Sequence, residues 1–173
     1  MDLGLSDRVF VVTGGSRGLG LATAEVLVSE GAHVILVARD QEVLDAAVSS
    51  LGGGGNATGL PGDLADPSTA ERVIAAAVAR YGRLDGALIS VGGPAAGTPM
   101  TLDDESWRTS FETVFLGSLR VARAAANAMS SAPDDMSGTG GSLVFVLSTS
   151  AREIFPGLTT SNALRPALAM MVK

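Results

Sequence analysis

Thr13-Gly14-Gly15-Ser16-Arg17-Gly18-Leu19-Gly20 is the stretch on which the fold of this chain turns. It follows at once on Val9-Phe10-Val11-Val12, a continuously apolar run that reads as a strand buried on both faces, as in a parallel sheet. After it, Leu19 to Ser29 places apolar residues at helical spacing, and Gly31 stops that helix. A strand, a glycine-rich turn and a helix start, in that order, suit a pyrophosphate. Such a group needs backbone N–H donors aimed at it, close approach of the chain and a helix N-terminus behind it. Gly14, Gly15, Gly18 and Gly20 allow the close approach, and the flanking strand and helix supply the context. The competing reading is a glycine-rich connection that holds no ligand.

Outward from the turn, strands and helices alternate. Val34 to Val37 reads as a second buried strand and Glu42 to Ser50 as a second helix, followed by the flexible run Gly52 to Gly55. Residues 57–62 carry a weaker strand signal, and Pro61 places them at a sheet edge. Asp66-Pro67-Ser68 opens a helix over Thr69 to Tyr81, which Gly82 ends. A strand from Leu84 to Val91 follows, then a Gly/Pro-rich loop at 92–99 and a long helix from Leu102 to Met129. A polar loop at 130–141 leads to a fifth strand, Leu143 to Leu147, and the last helix begins near Ser161. This order predicts an α/β fold: a Rossmann-type, doubly wound parallel sheet with helices on both faces. Met129, Met136, Met170 and Met171 read as core or interface filling.

The composition sets limits. The 173 residues fit one domain, 1–173, and 46% hydrophobic content is enough to bury a core. A net charge of −6, with the arginines scattered, argues against a nucleic-acid partner. The chain has no cysteine, which excludes disulfides, thiolate chemistry and cysteine-ligated metals. Its one histidine, His33, precedes the second strand and reads as structural. Asp103-Asp104-Glu105 reads as charge at a helix start, because adjacent carboxylates on a helix do not converge on one face. No metal site is expected. The N-terminus carries no signal-peptide pattern and no apolar run is long enough to span a membrane, so a cytoplasmic protein without membrane contact is expected.

The spacing of the turn is T-G-x-x-x-G-x-G, and further matches follow in order. Asp63-Leu64, Tyr81-Gly82-Arg83-Leu84-Asp85, Trp107 and the run Gly141 to Ser148 all stand at characteristic places. In these features the whole chain resembles the short-chain dehydrogenase/reductase family, in the manner of its 3-oxoacyl-ACP reductases. The resemblance implies a nicotinamide dinucleotide, a small carbonyl or alcohol substrate, and a homodimer or homotetramer. It implies that Asp63 and Leu64 contact the adenine ring. It also aligns Ile89-Ser90-Val91-Gly92 with the family's Asn-Asn-Ala-Gly loop, which brings Ser90 and Gly92 to the cofactor. Family members continue with further strands and a substrate loop, so the C-terminal part of the fold is expected to be missing here.

NAD-specific sites place an acid at the end of the second strand, on the ribose hydroxyls. Ala38 stands at that position, Arg39 follows it, and Arg17 lies in the turn. Two guanidiniums suit a 2′-phosphate, and the resemblance likewise implies NADP(H). Solvated surface arginines are the alternative, and Asp40 is placed to compete for Arg39.

The catalytic pattern breaks. The family uses a serine, a tyrosine and a lysine four residues after it, with an asparagine in the preceding long helix. Here the one tyrosine is Tyr81 and the one lysine is Lys173, so that set cannot form. By the resemblance Ser148 keeps the serine position, Ser161 replaces the tyrosine, Arg165 the lysine and Val114 the asparagine. A serine hydroxyl is a poor acid beside a phenol, and arginine stays charged. A reductase is then expected to position its carbonyl with Ser148, Ser161 and Arg165 and to take its proton from water. The alternatives are a silent NADP(H)-binding sensor or partner subunit, and a Ser161 that merely N-caps a helix. Pro166 predicts a late start or a distortion in that helix.

Overall fold

A computed structural model describes residues 3–130 and 140–173. Met136 and most of the expected loop at 130–141 lie outside the described residues. The strands are β1 (Val9–Thr13), β2 (His33–Ala38), β3 (Ala57–Pro61), β4 (Gly86–Ile89) and β5 (Ser142–Phe145). The helices are α1 (Gly18–Ser29), α2 (Gln41–Ser50), α3 (Pro67–Tyr81), α4 (Asp104–Ser110), α5 (Gly117–Ser130) and α6 (Thr159–Met171). The strands form one parallel sheet in the order β3-β2-β1-β4-β5, with Val11 level with Ile35 on one side and Ala87 on the other. Proline-containing β3 takes an edge, where its lost donor costs the sheet nothing.

The apolar strands are buried on both faces because helices cover both. Val9, Val11, Ile35 and Ile89 pack with Val73 and Ile74 of α3 and Val121 and Ala125 of α5. Val12, Val34, Leu36 and Leu88 pack on the other face with Ala24 of α1 and Leu44 and Ala47 of α2. This is the doubly wound arrangement that the alternation predicts. Among the described residues no helix is long and apolar enough to cross a membrane.

Several boundaries differ from expectation, each for a local reason. The long helix is interrupted. Asp103 caps α4, its carboxylate accepting from the Ser106 N–H at 2.8 Å, and a wide π-type turn at Phe111–Leu116 separates α4 from α5. Ser110 and Ser118 flank or follow this turn and each returns its hydroxyl to the carbonyl four residues back. β4 is shorter than 84–91. Asp85 is drawn off by Arg8, Arg83 and the Val9 N–H, and Ser90 is drawn off by Thr13. β5 ends at Phe145, although Val146 still donates to the Ile89 carbonyl.

The last helix starts at Thr159 and is capped by Leu158, so Ser161 is its third residue and not its N-cap. Nor does it start late. It runs through Pro166, which has no N–H for the Asn162 carbonyl one turn back.

Candidate functional site

β1, β2 and β3 step one way across the sheet, and β4 and β5 step the other. Where the order reverses, the chains leaving the C-terminal strand ends part and leave a crevice. A groove of about 910 Å³ opens there. Gly14, Ser16 and Arg17 of the turn line it, with Ala38 and Arg39 after β2, Gly62, Asp63 and Leu64 after β3, and residues 90–95 after β4. Thr113 and Val114 of the wide turn close it from α4 and α5.

Of the residues expected at a cofactor, Gly14, Ser16, Arg17, Arg39, Asp63, Leu64, Ser90 and Gly92 therefore come together. Gly15, Gly18, Leu19 and Gly20 do not line the groove; they shape it from behind. Gly15 is buried and donates to the Val37 carbonyl at 3.2 Å, Gly18 opens α1, and Leu19 is 68% exposed. A Cβ on Gly20 would collide with the Gly14 carbonyl, so helix and turn are in direct contact.

The turn fits a ligand that needs the bare backbone. Gly14 has φ +61°, and a Cβ there would stand 2.9 Å from the Ser90 carbonyl oxygen. Thr13 holds this junction, which the sequence reading overlooked. Its hydroxyl donates to the Ser90 carbonyl at 2.8 Å and accepts from the Ser90 N–H at 2.9 Å. The tie draws the turn against the end of β4 and leaves the N-terminus of α1 facing the crevice.

At the β2 end of the groove Arg17 and Arg39 are both exposed. Asp40 does not compete for Arg39. Its carboxylate caps α2, accepting from the N–H groups of Glu42 and Val43 at 3.0 and 3.3 Å. Among the described residues neither arginine has a carboxylate partner. Asp63 accepts from the Ala65 N–H at 2.9 Å, which turns the chain after β3 and leaves Leu64 against the groove.

The three positions expected to be catalytic differ sharply in exposure. Ser148 is exposed beyond β5, where its hydroxyl accepts from the Ser150 N–H at 3.2 Å and caps a short 3₁₀ turn at Thr149–Ala151. Ser161 is 8% exposed, and its hydroxyl is 2.8 Å from that of buried Ser150. Arg165 is 5% exposed. It donates to the carbonyls of Val146, Val91 and Gly92 at 3.0, 3.4 and 3.3 Å, and its Nε is buried without a partner. Burial lowers the pKa of this guanidinium from its ordinary value, yet an arginine so solvated by carbonyls keeps its charge. None of the three lines the groove. Ser150 and Thr160, both buried and both hydrogen-bonded at this corner, carried no sequence signal beyond their polarity.

The scarce residues lie elsewhere. His33 opens β2 at the end of the sheet opposite the groove, and Tyr81 stacks on it with ring centroids 4.6 Å apart. The only phenol in the chain is therefore remote from the crevice. Among the described residues no group of three or more His, Asp or Glu side chains is placed to hold a metal.

Comparison with known proteins agrees with this geometry. The short chain dehydrogenase family model matches residues 8–173. Dehydrogenase/reductase SDR family member 4 of Bos taurus is 31% identical over 172 residues, covering 98% of this chain and 59% of its own length. The crystal structure of L-sorbose reductase from Gluconobacter frateurii, complexed with NADPH and L-sorbose, superposes with a TM-score of 0.89 at 31% identity. That match covers 99% of this chain and 64% of the reductase. A short-chain dehydrogenase from Streptomyces avermitilis gives a TM-score of 0.83 at 31% identity, over 95% of this chain and 57% of its own. The chain thus spans less than two-thirds of the length of these relatives.

Proposed function

The chain belongs to the short-chain dehydrogenase/reductase family, and on that premise we propose that it is an NADP(H)-dependent oxidoreductase interconverting a small carbonyl compound and its alcohol. One observation carries the cofactor assignment. Arg17 and Arg39 line the groove with no carboxylate partner among the described residues, beside an Ala38 that offers no acid to a ribose. The glycine turn receives the pyrophosphate, the two guanidiniums the 2′-phosphate, and Asp63 and Leu64 the adenine. Ser90 and Gly92 follow the cofactor along the end of β4. NADP(H) in that groove supplies or accepts the hydride.

The chain's own catalytic contribution is then modest. Ser148, solvent-facing past β5, orients the carbonyl oxygen by hydrogen bonding. Ser161 and Arg165 are spent on Ser150 and on backbone carbonyls, so they hold this corner of the site, and water delivers the proton. The homodimer or homotetramer implied by the family, and a cytoplasmic setting, belong to the same proposal.

The burial of Ser161 and Arg165 favours a second reading, a silent NADP(H)-binding sensor or partner subunit. NADPH consumption by the full-length protein across ketones, aldehydes and 3-oxoacyl thioesters separates the two. Turnover that falls in Ser148→Ala supports the oxidoreductase. Tight NADPH binding with no turnover on any of them refutes it.

A further inference from the structure

The groove wall after β4 is short of side chains. Gly92-Gly93-Pro94-Ala95-Ala96-Gly97 contains nothing that can anchor itself, and ordering each such residue costs about 1–2 kcal/mol of backbone entropy. Apart from a long bond from the Ala95 N–H to the Ser110 hydroxyl of α4 at 3.4 Å, the anchors come from α6 and the stretch before it. Thr160 is fully buried and its hydroxyl donates to the Ala95 carbonyl at 2.6 Å. The Gly97 N–H donates to the Gly157 carbonyl at 2.7 Å, and the Thr159 N–H donates to the Gly97 carbonyl at 3.2 Å. Arg165 completes the seam, one guanidinium nitrogen reaching the carbonyls of Val91 and Gly92 while the other reaches Val146 after β5.

A buried guanidinium with no carboxylate is costly to desolvate, and an apolar side chain would fill the same space at lower cost. What the arginine adds is its planar fork, which spans carbonyls from the segments after β4 and β5 at once; a lysine ammonium is a single point of donors and cannot bridge them all. We propose that Arg165, together with Thr160, is a positioning residue that fixes the 91–95 wall of the groove and the stretch to Gly97 that follows it, and so sets which carbonyl substrates the groove admits, without touching the reacting atoms. The substrate part of this rests on the oxidoreductase reading. The fixing of the wall does not.

Amide hydrogen exchange on the full chain tests it, with Arg165→Met, Arg165→Lys and Thr160→Val compared with the wild type. Exchange across 91–97 is expected to rise on the order of tenfold in Arg165→Met, less in Arg165→Lys, and in Thr160→Val chiefly around Ala95–Gly97. The turn at 13–20 stays protected in all three. Asp85→Asn, a lesion at the opposite end of the sheet, leaves 91–97 as in the wild type. Unchanged exchange at 91–97, or a rise only in step with the rest of the molecule, overturns the proposal. Should Arg165→Met fail to fold, Thr160→Val and Arg165→Lys decide it by the same criterion. In the active enzyme Arg165→Lys should flatten the ranking of small over bulky ketones through KM more than kcat. If the wild type turns over no ketone, the oxidoreductase reading falls while the exchange result still judges the clasp.

Discussion

Replacing Arg39 with alanine should convert a cofactor preference into near indifference. The side chain is exposed at the groove's β2 end and has no carboxylate partner among the described residues, Asp40 being committed to capping α2. Its loss therefore removes a phosphate contact and leaves no buried charge behind. A charge-assisted hydrogen bond is worth about 1.5–3 kcal/mol, and solvent exposure with salt screening draws this pair to the lower end, about 1.5–2 kcal/mol. That is roughly a ten- to thirtyfold rise in Kd for NADPH. NADH carries no 2′-phosphate, so its Kd should barely move, and the NADPH/NADH ratio should fall by the same factor. Titrating the nucleotide fluorescence of each form reads both constants. Repeating the NADPH titration at higher salt should shrink the difference between wild type and variant, since part of it is screened. Removing Arg17 as well should cost less than the product of the single losses, because both guanidiniums address one phosphate. Equal weakening of NADPH and NADH, or a change in NADPH affinity below about threefold, would refute the assignment of Arg39 to the 2′-phosphate.

Three further outcomes follow from named contacts. Ala38→Asp puts a carboxylate where the ribose hydroxyls would lie. It should tighten NADH several-fold and weaken NADPH by at least about tenfold, and an unchanged ratio in the same titration counts against the groove's polarity as described. Gly20→Ala drives a methyl group into the Gly14 carbonyl; it should cost about 1–3 kcal/mol in urea unfolding and weaken any NADPH binding at the turn, whereas a silent substitution would mean that turn and helix are not in contact. Asp85→Asn removes the anion shared by Arg8, Arg83 and the Val9 N–H, at about 2 kcal/mol for a largely buried but solvent-edged pair. Burial pushes the Asp85 carboxyl up, but hydrogen bonds from Arg83, Arg8 and Val9 outweigh it and hold the pKa below the usual carboxylate range. The stabilisation is thus complete above the unfolded pKa of about 3.9 and is lost as pH falls through the lower folded value, so wild type and Asp85→Asn should converge in unfolding free energy in strong acid. A gap that persists there would place the effect in packing instead of charge.

The fold was legible because its signals are local and redundant. Val9 to Val12 and Val34 to Val37 are apolar without interruption, which only a sheet covered on both faces accommodates. Pro61 named its own edge. The boundaries that shifted did so where a side chain, not the hydrophobic pattern, decides. Asp85 and Ser90 trim β4 from both ends, and the serine hydroxyls at 110 and 118 sit on either side of a wide turn that leaves the helical period of the sequence intact. Gly14, Arg17 and Arg39 were legible as residues of the groove because a glycine-rich strand-to-helix turn and the end of the second strand fix where they fall in this fold. Thr13 was not, because a threonine ending a strand looks the same whether or not a neighbouring strand takes its hydroxyl.

The corner beneath Ser161 and Arg165 was the least legible, since composition excluded the tyrosine and the lysine but not what replaced their function. Ser161 and Arg165 are both buried at this corner, each with partners of its own. The Ser161 hydroxyl lies 2.8 Å from that of Ser150. A cation four residues on, in a member with a phenol, has that phenol to activate. Here the guanidinium at 165 is instead turned to the carbonyls of Val146, Val91 and Gly92. Of the three positions, Ser148 alone keeps a hydroxyl open to solvent. If the proposed reduction takes place here, the carbonyl would meet one weak donor and bulk water. The rate would then depend on how firmly the groove holds hydride donor and carbonyl together, which would put the weight of catalysis on the glycine turn, the two arginines and the wall proposed to be fixed by Arg165.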